Sequence, residues 1–171
     1  MAESISTVLT EWSRNVIDRI RENLDSTKTT ASGKTKKSLT YEVMRREGYH
    51  ILIEGRPFFQ SVETGRGPTI HPQHIDLVSI LAQWIRDKGL DTTWNLNDER
   101  EIRSVAYAIM VTHRERGSKL YRDGGRTDIY SNVIAEELPE LKQGLATAVV
   151  NDIRDNTVRK MVAQVNAAKS K

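Results

Sequence analysis

Along residues 5–24 the apolar positions recur every three or four residues. Ile5, Val8, Leu9, Trp12, Val16, Ile20 and Leu24 fall on one face, and Glu11, Arg14, Asp18, Arg19 and Arg21 on the other. That spacing predicts an amphipathic helix. The next stretch, 25–37, holds nothing apolar larger than alanine and reads as a mobile loop or arm. The period then falls to two. Leu39, Tyr41 and Val43 alternate with Thr40, Glu42 and Met44, a turn follows at Glu47-Gly48, and the run from Tyr49 to Ile53 completes a β-hairpin. Arg56-Pro57 stops the second strand, because proline has no N–H to give a ladder. A glycine- and proline-rich loop continues through Gly65-Arg66-Gly67-Pro68.

Helical spacing returns at 76–88, with Leu77, Ile80, Leu81, Trp84 and Ile85 expected inward and Gly89 suited to the left-handed position after the helix. Another helix is expected to start at Asn97 as N-cap, with Asp98 and Glu99 in its first turn. Ile102, Val105, Ala106, Ile109 and Met110 would pack it before Gly117 ends it. After a polar loop over 117–128, Ile134, Leu138, Leu141, Leu145, Val149 and Ile153 mark a long helix, with a kink or restart expected at Pro139. Helical spacing persists from Val158 to Val165. The pattern predicts an α+β fold: a small antiparallel sheet built on the hairpin, packed with the N-terminal helix and about three or four more. A two-stranded hairpin alone is marginal in water, so a third strand or another chain is expected to complete the sheet. Residues 1–153 read as one domain and 154–171 as a basic helical tail.

Composition sharpens this picture. The absence of cysteine among the 171 residues excludes a disulfide scaffold, thiolate catalysis and cysteine-ligated metal. An apolar share of 37% is low for a self-sufficient globule and predicts a subunit that gains stability from its neighbours. No apolar run reaches the ~18 residues of a membrane span, and the N-terminus is acidic and polar where a signal peptide is basic and apolar, so cytoplasmic assembly without a membrane partner is expected. The net charge of +3 is mild for a dedicated DNA binder. It resolves, however, into two basic segments. One contains Lys34, Lys36 and Lys37 with Arg45 and Arg46, the other Arg159 and Lys160 with Lys169 and Lys171. Such segments read first as solvated faces. The alternative is a surface facing DNA through phosphate contacts, without sequence readout.

Candidate chemistry is sparse. Of the 4 histidines, His71 and His74 bracket Pro72-Gln73 with Asp76 close by. That falls short of the ligand number and register of a metal centre, and the segment reads as a capping, hydrogen-bonding loop. There is no nucleophile elbow and no zinc-protease motif, and the carboxylates of Glu136 and Glu137 are expected to diverge around a helix. The Arg122-Asp123-Gly124-Gly125-Arg126 loop lacks the lysine and hydroxyl ending of a phosphate-binding loop and reads as a turn. These residues predict a protein without enzymatic activity, metal or cofactor.

One ordered set of segments is more specific. Ser32-Gly33-Lys34 to Ser38-Leu39 precedes a strand. Phe58-Phe59-Gln60-Ser61-Val62-Glu63-Thr64-Gly65-Arg66-Gly67-Pro68 follows the hairpin, and Trp84-Ile85-Arg86-Asp87-Lys88-Gly89-Leu90 closes a helix. Over roughly residues 5–150 this order resembles the neck and tail-completion (head–tail joining) proteins of tailed bacteriophages, especially those of Bacteroides-type hosts. Thr35 departs from it, standing where that family usually has an apolar residue, and the tail beyond about 153 is longer and more basic. The resemblance implies a structural virion protein assembled in the host cytoplasm. It would be a ring-forming homo-oligomer at the head–tail junction, joining portal or adaptor to tail around the DNA channel. Phe58, Phe59, Glu63 and Arg66 would then serve subunit or ring contacts, with Glu63 and Arg66 pairing within or between subunits. Lys34, Lys36, Lys37, Arg159 and Lys160 would meet DNA or a partner protein. The alternatives are a non-sequence-specific DNA-binding accessory protein and a small hydrolase or nuclease. No helix carries the clustered bases and base-reading amides of the first, and no convergent carboxylates or histidines serve the second.

Overall fold

The computed structural model describes residues 4–69 and 76–169. In order these form α1 (Ile5–Ser26), α2 (Lys34–Lys37), β1 (Thr40–Arg45), β2 (Tyr49–Glu54), α3 (Ser61–Thr64), α4 (Leu77–Asp87), α5 (Leu90–Thr93), α6 (Glu99–Arg116), α7 (Lys119–Arg122) and α8 (Ser131–Lys169). The fold is α+β, with an antiparallel two-stranded hairpin among several helices. Among the described residues no third strand joins the sheet. The chain divides into two compact units, each assembled from separated stretches.

One unit comprises Met1–Arg19, Thr40–Ile53 and Val133–Lys171, and so holds most of α1, the hairpin and nearly all of α8. Here α1 buries Val8, Leu9, Val16 and Ile17, together with Ser13, whose hydroxyl donates to the Leu9 carbonyl at 2.7 Å. Trp12 Nε1 donates to the Glu137 carbonyl at 2.9 Å, tying α1 to the early turns of α8. A Cβ on Gly144 would lie 2.9 Å from Val8 Cγ1, so glycine sets how closely the two helices meet. Of the kink or restart expected at Pro139, the restart does not occur: α8 runs through Pro139 and past residue 153. The ring takes one backbone donor from the helix, but the contacts from Trp12 and Arg19 grip α8 immediately before it.

The face that α8 buries also differs from the expected one. Of the expected residues Leu141 and Leu145 are half-buried, whereas Ile134, Leu138, Val149 and Ile153 are exposed; Val133 and Ala148 are buried and Glu137 and Gly144 half-buried in their place. Gly144 admits Val8 of α1 closely, and Ala148 is buried while the larger Val149 beside it is exposed. In the hairpin, Arg45 stacks over the Tyr49 ring at 5.5 Å, and none of the strand residues is fully buried.

The other unit comprises Ile20–Leu39 and Glu54–Asn132. Its core packs α4 on α6, with Leu81, Ala82, Ile85, Ile102 and Ala106 buried and Val105, Ile109 and Met110 partly so. Asp76 caps α4 by accepting from Ser79 N at 3.0 Å. Asp98, not Asn97, caps α6, accepting from Glu101 N at 2.8 Å, while Glu101 reaches back to Asn97 N at 2.6 Å. On α4, Ile80 and Trp84 point outward, against expectation, because Ala82 rather than either of them faces α6.

Residues 25–37 are no free arm. Thr29 and Thr30 N–H groups return to the Leu24 carbonyl at 3.0 and 3.2 Å, closing the end of α1, and Lys36 pairs with Asp25. The polar composition serves helix termination rather than solvation of a mobile segment.

Candidate functional site

One of the segments that carry the resemblance, 58–68, is locked by hydrogen bonds to residues 118–131 of the same unit. Glu63 lies at its centre, only 2% exposed. Its Oε1 accepts from three successive backbone N–H groups, Ile129 at 2.9 Å, Tyr130 at 2.6 Å and Ser131 at 2.9 Å, and its Oε2 accepts from the Ser131 hydroxyl at 2.5 Å. The reason lies in the local sequence. The residue ahead of α8 is Tyr130, which has no short side-chain oxygen to cap the helix, so a carboxylate from a distant loop meets its open N–H groups and the positive end of its dipole. Burial and the charge of Glu63 together raise the Tyr130 phenol above its ordinary value.

The backbone around Glu63 is clamped as well. Arg126 N donates to the Glu63 carbonyl at 2.9 Å, Ser118 N to the Arg66 carbonyl at 2.7 Å, and Arg66 N to the Ser118 hydroxyl at 2.9 Å. That hydroxyl also caps α7 through Tyr121 N at 3.2 Å. Gly65 has φ 70°, and a Cβ there would stand 2.3 Å from Tyr121 N, so the clamp closes only over glycine. The 122–126 segment is a turn as expected, with Gly124 and Gly125 at φ 89° and 83°, and Arg126 holds Asp128 through Nε and Nη2 at 2.5 and 2.6 Å.

Within the chain Glu63 and Arg66 do not pair. Glu63 is turned inward and saturated, while Arg66 is exposed, with Nη2 3.1 Å from Thr69 Oγ1. Phe59 is half-buried, its ring 5.5 Å from that of Tyr130. Phe58 next to it is 80% exposed, with φ 70° in the left-handed region. Thus the four residues grouped by the resemblance separate into an inner pair, Glu63 and Phe59, and an outer pair, Phe58 and Arg66.

Of the basic candidates, Lys34 and Lys37 are exposed, Lys36 is engaged by Asp25, and Arg159 and Lys160 are exposed on α8. Arg159 and Arg45 share an open basin of about 530 Å³ with Tyr49, Asp152, Asp155 and Asn156, so carboxylates stand beside these bases. Glu136 and Glu137 do not diverge as expected. Both reach Arg19, at 2.5 Å to Nη2 and 2.6 Å to Nη1, because the guanidinium fork spans two adjacent helix positions. His71 and His74 lie outside the described residues. His113 is half-buried, and burial with the nearby Arg66 and Arg122 lowers its pKa below the ordinary value. Among the described residues no group of His, Asp and Glu is arranged to hold a metal ion, and no helix is long and apolar enough to cross a membrane.

Sequence reasoning singled out Glu63 but missed its partners. Ser118, Ser131 and the N–H groups of 129–131 are distant in sequence, and the missing cap ahead of α8 was the one available signal. Comparisons with protein-family models, curated proteins and solved structures find no match to this chain.

Proposed function

We propose that this chain is a structural, non-enzymatic subunit of a tailed-bacteriophage virion. In this reading it forms a ring at the head–tail junction and connects portal or adaptor to tail around the DNA channel. The ordered segments at 32–39, 58–68 and 84–90 support the phage assignment through their resemblance to neck and tail-completion proteins. The observation that carries the assembly reading is Phe58. Its left-handed backbone is strained for a side chain of this kind, by about 1 kcal/mol or more. The ring nevertheless remains 80% exposed and gains almost no burial in return. A neighbouring subunit or ring that covers Phe58 supplies that burial, and the clamp around Glu63 holds it in place. The hairpin supports the same reading, since neither strand has a fully buried residue and the sheet stops at two strands among the described residues.

The test is co-assembly of the chain with portal, adaptor and tail proteins of such a phage, followed by particle mass and negative-stain imaging. Wild-type chain is expected to enter rings, and Phe58→Ala or Arg66→Ala to keep its circular dichroism spectrum and melting temperature but fail to enter them. A chain that ignores these partners and instead binds duplex DNA tightly, with steep salt dependence, would overturn the proposal in favour of the DNA-binding alternative.

A further inference from the structure

Two arginines and a histidine are gathered at the end of α6 with no carboxylate paired to them. His113 stands in the last turn of α6, half-buried. Arg66 arrives from the 58–68 segment, its backbone pinned on both sides to Ser118 at 2.7 and 2.9 Å. Its Nη2 lies 3.1 Å from Thr69 Oγ1, and Thr69 is itself joined to α6, its N–H donating to the Arg114 carbonyl at 3.1 Å. Arg122 arrives from α7, with Nη1 donating to the Gly117 carbonyl at 2.6 Å. The approach is close, since a Cβ on Gly117 would stand 2.8 Å from the Arg66 carbonyl oxygen. Among the described residues no ion pair reaches Arg66, His113 or Arg122. Glu115 is two positions from His113 and points to another side of α6, lining a hollow with Thr69, Val111 and Arg114. Lys119 and Asp123 on α7 pair with each other.

The carbonyls at a helix C-terminus attract cations, but those of His113, Arg114 and Gly117 are already met by Gly117 N, Thr69 N and Arg122. Each guanidinium gives one of its five N–H groups to the protein, Arg66 to Thr69 and Arg122 to Gly117, and keeps the rest. The fold therefore holds like charges together without settling them. The imidazole registers this, because burial, Arg66 and Arg122 keep its pKa below the ordinary value. From this arrangement we infer that Arg66, His113 and Arg122 form a binding site for a phosphate group, either inorganic phosphate or the phosphodiester of a nucleic acid strand. Shape favours phosphate over carboxylate. The donors come from three separate segments, and a phosphate offers oxygens on several sides, whereas a carboxylate is filled by a single guanidinium fork. A bound anion also favours the protonated imidazole, which then donates from both ring nitrogens. The site belongs to the isolated chain and is independent of the virion reading.

The experiment follows the His113 ring protons by NMR while the purified full chain is titrated with sodium phosphate, with sodium chloride at matched ionic strength as the reference. The chain has 4 histidines, and His113→Gln assigns the resonance by removing it. Phosphate is expected to shift the signal saturably and to move its titration midpoint upward, and chloride to do neither. Arg66→Gln and Arg122→Gln should each weaken the apparent affinity about tenfold or more, the loss expected of a charge-assisted hydrogen bond. Lys142→Gln removes the same charge from α8 and should change nothing. Arg122 also closes the end of α6, so circular dichroism melts accompany each variant, and the exposed Arg66 decides the matter if Arg122→Gln does not fold. A single-stranded oligonucleotide without terminal phosphates separates the sources. Saturation by the oligonucleotide at lower phosphate concentration identifies the phosphodiester, and saturation by orthophosphate alone identifies the free ion. Responses to phosphate and oligonucleotide no greater than to chloride, or unchanged by Arg66→Gln, overturn the inference. So does acetate acting as strongly as phosphate. Phosphate bound by a chain that never enters rings upholds this site and sinks only the virion reading.

Discussion

Glu63 shows how much a single side chain can organise. One carboxylate satisfies three backbone donors and a hydroxyl that would otherwise be shut away from water. Its removal is expensive because every donor is left behind. Glu63→Ala is expected to lower stability by about 3 kcal/mol, combining a lost cap with several orphaned buried N–H groups. Chemical denaturation should register this as a lower midpoint at unchanged slope; a loss within a few tenths of a kcal/mol would mean that water replaces the carboxylate. Phe58 behaves oppositely. Replacing it by glycine releases backbone strain and gives up little burial, so Phe58→Gly should leave stability unchanged or raise it by up to about 1 kcal/mol. A clear loss in the same denaturation measurement would show that the ring packs within the subunit after all.

At the level of elements, the approach of α1 to α8 is set by Gly144 against Val8. Alanine at 144 gains helix propensity of about 1 kcal/mol over glycine but drives a methyl into a stiff β-branched side chain. Gly144→Ala alone is expected to be neutral or destabilising, whereas in a Val8→Ala background the same change should stabilise. A double-mutant cycle should therefore return a coupling of about 1 kcal/mol or more, and simple additivity would mean the helices separate freely. The same pair explains what could and could not be read from the chain. The helices and hairpin were legible because periodicity reports which residues share a face. The buried face of α8 was legible at Leu141 and Leu145, both half-buried, but not at Gly144 and Ala148, because these pack by being small, and smallness leaves no trace in a hydrophobic pattern. Similarly, residues 25–37 looked mobile because the hydrogen bonds that close α1 there are made by backbone. At the candidate site, Phe58, Phe59, Glu63 and Arg66 were found together, but which of them face inward was decided by residues 118–131, far away in sequence.

For the molecule as a whole, acid should act in two stages. His113 has a lowered pKa in the folded chain, so the unfolded chain takes up the proton first and stability falls as pH drops through and below the ordinary value of 6.5. Asp25, Asp76 and Asp128 are shifted down by Lys36, Ser79 and Arg126 respectively. Their contribution is present above the ordinary value of 3.8 and is lost as pH falls below it through their lowered folded values. Melting temperature followed against pH should show both declines, and His113→Gln should flatten the upper one while leaving the lower in place. An upper decline that survives this substitution would assign it to another group.

The interleaving of segments also has a consequence for the order of events during synthesis. Trp12 and its acceptor on Glu137 are separated by 125 positions, and Val8 meets Gly144 across a similar span. On the ribosome, α1 therefore emerges long before its partner helix, and Val8 and Trp12 must wait for α8. Long-range closure of this kind slows folding and leaves apolar surface open in the interim. Chains released before α8 is complete should accumulate as aggregates, so translation itself sets a window in which this protein is most vulnerable.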